Sequence, residues 1–166
     1  LRSEQNYGKL ADRFDKNTKE IVQVDDAMGR IVASAKNPSP SGDLALVFNY
    51  MKMLDPGSVV RDSEFKTAQD ARAWMAIKDE EGTVLPSYVR GAIQRMTEGT
   101  ILLPEQRADF VQRANAIYRP QVEKFDRIAE NTRLQAQVAG VPEELVVSDY
   151  LMNRDFNIDE LVSGAS

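Results

Sequence analysis

Residues 7–35 read YGKLADRFDKNTKEIVQVDDAMGRIVASA, and the spacing of their apolar side chains decides the fold. Taken at alternating steps of three and four, the segment gives Tyr7, Leu10, Phe14, Asn17, Ile21, Val24, Met28, Ile31 and Ala35. All but Asn17 are apolar, or nearly so in the case of Tyr7. A 3.5-residue period held for about four heptads is the signature of a long amphipathic helix with a narrow, coiled-coil-like seam. The opposite face carries Lys9, Asp12, Lys16, Lys19, Asp26 and Arg30 and reads as solvated. Asn17 interrupts the seam at a position where a buried amide fixes register or oligomer state. Two packings stay open, a helix that pairs with another chain and a helix lying on its own domain with Asn17 near the edge. The narrowness and regularity of the seam favour the first. Tyr7, Leu10, Phe14, Asn17, Ile21, Val24, Met28 and Ile31 are therefore the expected association residues, within a segment spanning 1–37.

Outward from this helix, the sequence is punctuated by helix stops and starts. Asn37-Pro38-Ser39-Pro40 ends the first helix and makes a stiff connector. Ser41 is placed to cap a second helix with Asp43 in its first turn. Leu44, Val47, Phe48, Met51 and Leu54 form the inner stripe of that helix, widened by Ala45, Leu46, Tyr50 and Met53, the pattern of a central helix. Asp55-Pro56-Gly57-Ser58 is turn chemistry that sets the angle to the next helix. A third helix is expected near 63–77, carrying Phe65, Ala68, Ala71, Trp74 and Met75, and then a solvated loop over 78–83. Pro86 opens a fourth helix that stops at Gly99. Pro104 opens a fifth, stopped by Gly140 and Pro142, with Pro120 expected to kink it between Ala116 and Lys124. The stretch 141–166 reads as an acidic, largely irregular tail with one short helix near Ile158 to Val162. The expected fold is all-α, a helical bundle over 41–140 with a long N-terminal amphipathic helix and a long Pro-kinked helix near the C-terminus.

Composition bounds the function. With 42% hydrophobic and 28% charged residues over 166 positions, the chain is long and apolar enough to bury a core. Its net charge of −5 argues against nucleic acid and anionic membrane surfaces, which bind through clustered cations. Cysteine and histidine are both absent, which removes the usual triads, thiol nucleophiles and common zinc sites. The most apolar run, Leu44 to Leu54, is too short to span a bilayer and contains Lys52. The chain begins at Leu1, so a processed form or a piece of something longer is expected.

Few constellations could carry chemistry. Asn153, Asp155, Asn157 and Asp159 alternate like the first half of a calcium loop. The turn glycine and the bidentate glutamate that such a loop needs fall on Ile158 and Gly164, so the pattern fails. Asp25-Asp26 and Asp79-Glu80-Glu81 read as solvated acids, not as an acid–base pair in an apolar pocket. The arginines of the fifth helix, among them Arg107, Arg113, Arg119, Arg127 and Arg133, are interleaved with acids and read as a mixed-charge face. No cofactor, metal or catalytic residue is expected, and the chain is not expected to be an enzyme.

Three stretches carry a resemblance. Asp43 to Arg61 (DLALVFNYMKMLDPGSVVR), Leu103 to Phe110 (LPEQRADF) and Gly140 to Tyr150 (GVPEELVVSDY) resemble a helical segment of tailed-bacteriophage internal virion and DNA-ejection proteins. The likeness spans 41–150, with its most specific part at Tyr50 to Arg61. The resemblance implies a structural protein of the phage particle, in its interior or its portal and tail region, delivered toward the host envelope. Its partners would be further copies of itself and other virion proteins. No catalytic residue is carried over. A disulfide-free helical chain suits exit through a narrow portal, since local helical contacts refold quickly, and an acidic chain avoids sticking to packaged DNA. The alternative is an intracellular helical adaptor that binds one partner through its first helix.

Overall fold

The computed structural model describes residues 2–56, 67–148 and 151–163, with side chains from Tyr7 onward. Six α-helices account for most of them: α1 (Arg2–Lys36), α2 (Pro40–Leu54), α3 (Ala68–Glu80), α4 (Ser87–Thr97), α5 (Pro104–Ala139) and α6 (Asp159–Ser163). No strand occurs among the described residues.

Each boundary has a local cause. Ser39, rather than Ser41, caps α2: its hydroxyl accepts from the Gly42 N–H at 2.9 Å, and Pro40 fills the first turn, where a missing N–H costs nothing. α3 starts at a capping box in which Asp70 N–H donates to Thr67 Oγ1 at 3.1 Å and Thr67 N–H donates to Asp70 Oδ2 at 3.0 Å. The first part of the helix expected over 63–77 lies outside the described residues, and its end runs on to Glu80, into the stretch expected to be loop. Pro86 precedes the first residue of α4. Gly99 and Gly140 follow α4 and α5 with φ of +81° and +67°, the left-handed geometry that only glycine adopts without strain.

α5 runs unbroken from Pro104 to Ala139, so Pro120 sits within one helix instead of dividing two. Both Pro120 and Ala116 lie on its exposed side, where the carbonyl left without a partner by the missing N–H can turn to water.

One main core joins the helices. α1 packs on α2 and on α5, α2 also meets α4 and α5, and α3 meets α4. Phe14, Ile21, Met28 and Ile31 of α1 enter the same cluster as Leu46 and Val47 of α2, Ile93 of α4, and Phe110 and Phe125 of α5. Each fully buried side chain of this size stabilises by roughly 1.5–3 kcal/mol. Phe14 meets Phe125 edge-on at 5.8 Å, and Tyr50 meets Phe110 likewise at 5.2 Å. A smaller cluster at one end gathers Ala136, Val141 and Val146 with Leu10 and Ala11. Residue 13 therefore lies beside residue 135 and residue 25 beside residue 118, so α1 and α5 run antiparallel.

Two expectations change here. The stretch 1–37 is not a segment apart from the bundle, because α1 shares one core with α2 and α5. Phe14, Ile21, Val24, Met28 and Ile31 of the seam are buried within their own chain, while Leu10 is half-buried and Tyr7 is 39% exposed. Asn17 is exposed, and Thr18 takes the inward place, donating its hydroxyl to the Phe14 carbonyl at 2.8 Å. The reason is the width of the stripe. Thr18, Asp25 and Val32 are buried beside Ile21, Val24, Met28 and Ile31, the broad inward face of a helix held by two neighbours rather than one.

The described part of the tail is irregular apart from two short helical turns, as its sequence reads, but it packs on the bundle, which the sequence does not show. After a 3₁₀ turn at Glu143–Leu145, the chain returns to the main core, where Leu151 is buried and Phe156, Ile158 and Leu161 pack against it. α6 falls where the short terminal helix was expected.

Candidate functional site

Among the described residues two carboxylates, those of Asp43 and Asp25, are buried among apolar helices. Neither kind of group survives burial without donors, since a lone buried charge is strongly disfavoured.

Asp43 is fully buried in the first turn of α2. Its Oδ1 accepts from Arg107 Nε at 2.9 Å, and its Oδ2 accepts from Arg107 Nη2 at 2.9 Å and from the Leu102 N–H at 2.8 Å. Arg107 also donates to the Leu102 carbonyl at 3.2 Å. The ion pair thus fixes the start of α5 against the start of α2 through a bidentate fork.

Asp25 is 3% exposed on α1, and its neighbours are of a different kind. Oδ1 accepts from the Tyr118 hydroxyl at 2.6 Å and from the Asn153 N–H at 3.1 Å, and Oδ2 accepts from the Met152 N–H at 3.0 Å. The Asn153 amide donates to the Asp25 carbonyl at 2.9 Å. Burial, with the bond to Asp25, lifts the Tyr118 phenol far above its ordinary value, so it stays protonated and acts as a donor. Around this centre, Arg119 donates to the carbonyls of Arg154 and Phe156, and Arg154 forks onto Asp126 at 2.7 and 3.0 Å. Asp25, Tyr118 and the returning tail form one polar lock inside the bundle.

A groove of about 690 Å³ opens between the end of α2, α3 and the link before α4. Met51, Leu54, Trp74, Ile77, Leu85 and Pro86 line it, with Asp55, Asp70 and Glu81 at its margin. Lys78 bridges Glu81 at 2.9 Å and lies over the Trp74 ring. Asp79 is paired with Arg90 of α4, whose guanidinium holds its carboxyl below the usual range.

The residues singled out in the sequence are not brought together as a site. The seam of α1 faces inward, Pro120 faces solvent on α5, and Asp55 closes α2 with its N–H donating to the Met51 carbonyl at 3.2 Å. Gly57 and Ser58 of the turn lie outside the described residues, and so does the angle they were expected to set. Reading Asp25-Asp26 as a solvated pair holds for Asp26, which is exposed beside Arg30, and fails for Asp25. A signal for Asp25 existed. It stands four residues after Ile21 and three before Met28, hence on the inward face. Asn153, first of the alternating oxygen residues, bonds to Asp25 through its backbone N–H and its side-chain amide. Among the described residues no group of three or more carboxylates is placed to hold a metal ion, and no helix is long and apolar enough to cross a membrane.

Fold and site together define a class, an all-α bundle tied internally by two buried polar locks. Comparison with family models, curated proteins and solved structures gives no match to this chain.

Proposed function

We propose that this chain is a structural protein of a tailed-phage particle, an internal or DNA-ejection component that acts through helix packing in an oligomer and not through catalysis. The observation that carries the reading is where the resembling stretches meet. Asp43 opens the first stretch and Arg107 lies in the second, and the two form the buried ion pair that joins α2 to α5. Val141 and Val146 of the third stretch fill the small end cluster. Asp43, Arg107, Val141 and Val146, all within the resembling stretches, are thus among the residues that hold the bundle together. The non-catalytic reading is supported by the use made of the buried polar groups: Asp43, Arg107, Asp25 and Tyr118 are engaged with one another or with backbone. The seam on α1, through which both the adaptor alternative and the expected association would act, is covered by α2 and α5, so packing in an oligomer would use other surfaces of the chain. Mass spectrometry of purified particles, made by the phage whose genome encodes this chain, tests the proposal. The chain is expected among the mature virion proteins at a stoichiometric level. Production during infection with absence from mature particles would overturn it.

A further inference from the structure

The tail seat on α1 and α5 is built to recognise one particular piece of polypeptide. Asp25 accepts two successive backbone N–H groups, from Met152 and Asn153, and among the described residues the one other donor to its carboxylate is the Tyr118 hydroxyl. Removal of the tail would leave a buried carboxylate with one donor, a state that favours refilling. Side-chain selection is also present. Asn153 lies against Gly29 so closely that a Cβ there would stand 2.7 Å from its Nδ2, and Asp126 takes the Arg154 guanidinium on both oxygens. Arg119 reads two carbonyls, those of Arg154 and Phe156.

The chain leading to the seat has an anchor of its own. Val141 and Val146 belong to the small end cluster, Leu151, Phe156, Ile158 and Leu161 belong to the main core, and Val147 packs against both. The tail can therefore leave its seat while the end cluster keeps its own contacts. We propose that the seat formed by Asp25, Gly29, Tyr118, Arg119 and Asp126 is an interaction site for residues 151–158 of a second copy of this chain, filled within a single molecule by its own tail. Every hydrogen bond and ion pair made in one molecule is reproduced between two, since the partner is identical, and such exchange of a terminal element is a low-cost route to association. The inference stands on the docking of the tail and is independent of the virion assignment.

Complementation between full-length chains tests it. A seat variant, Gly29→Val with Arg119→Glu, keeps a tail but crowds the Asn153 amide and loses the donors to the Arg154 and Phe156 carbonyls, and a tail variant, Leu151→Asp with Arg154→Glu, keeps a seat but loses its occupant. Each alone is expected to sediment as a monomer of about 18.6 kDa. An equimolar mixture of the two is expected to give a 1:1 complex of twice that mass. A mixture that stays monomeric at every concentration, with both variants helical by circular dichroism, overturns the proposal. If this seat variant does not fold, Arg119→Glu with Asp126→Arg supplies the seat-deficient chain. Hydrogen exchange on the wild type gives a second reading. Amides of 152–156 should exchange at least tenfold faster than those of the α5 interior, through opening of the tail alone. Exchange of both only in one global event would also overturn the exchange mechanism.

Discussion

Arg107 and Asp43 meet across 64 positions of sequence, and each is the answer to the burial of the other. Arg107→Ala is expected to lower stability by roughly 3–5 kcal/mol, because it strands a buried carboxylate. Equilibrium chemical denaturation measures this, and a loss under about 1 kcal/mol would mean that the pair behaves like a surface contact. Adding Asp43→Leu should not restore the whole loss, since the Leu102 N–H then has no acceptor. At Asn17 the expectation is the opposite of that for a seam residue. With its side chain exposed, Asn17→Leu should change stability by no more than about 0.5 kcal/mol and leave the sedimentation of the protein unaltered. Sequence spacing placed most of the inward face of α1 but chose the wrong residue of the pair Asn17 and Thr18. Periods of 3.5 and 3.6 diverge slowly, and over 29 residues a narrow seam and a broad stripe share most positions. Thr18 also hides its polarity by bonding to the Phe14 carbonyl within the helix.

Helix limits were legible wherever a residue with special backbone chemistry marks them, as Pro104, Gly99 and Gly140 do. The docking of the tail was not legible. It depends on backbone N–H groups of Met152 and Asn153 reaching a carboxylate more than 120 residues away, and main-chain donors leave no trace in composition or periodicity. The ion pair between Asp126 and Arg154 makes that docking sensitive to acid. The Arg154 guanidinium holds the Asp126 carboxyl below its ordinary value, against a smaller opposing effect of burial and with help from Arg133. The folded carboxyl thus titrates lower than the unfolded one, near 3.9. Its contribution is complete above about pH 4 and is lost as pH falls through the folded value. Exchange of the 152–156 amides, corrected for intrinsic rates, should accelerate below about pH 4 in the wild type, and less so in Arg154→Ala, where that pair is already gone. Equal acceleration in both would remove the ion pair as the cause.

At the scale of the molecule, α1 is structural. It supplies Phe14, Ile21, Val24, Met28 and Ile31 to the main core and the Asp25 lock to the tail, so deletion of residues 1–36 should abolish cooperative thermal unfolding. A sharp calorimetric transition in the truncated chain would show that 41–140 holds together alone, as its sequence pattern had suggested. The same topology qualifies the expectation of fast refolding by local contacts. α1 closes onto α5 and the tail, with Asp25 bonded to residues 93 and 128 positions away, and loops of that length slow folding. Apolar spacing and the residues that start and stop helices conveyed the fold class because helices announce themselves locally, whereas the order in which they close on one another is set by contacts between distant residues.

The antiparallel run of α1 along α5 also has a mechanical consequence. The N-terminal end of α1 and the C-terminal end of α5 lie at the same end of the molecule, joined by Leu10, Ala11 and Ala136 and by the bond from Arg13 to Gln135. A pull that separates those two ends loads this small cluster first. The helices then peel apart like a zip, about 5.4 Å per turn, so the tension at any moment falls on a few side chains instead of on the whole interface. The zip meets Phe14 against Phe125 next, and then Asp25 against Tyr118, the first buried hydrogen bond between the two helices on its path, where the resistance should peak.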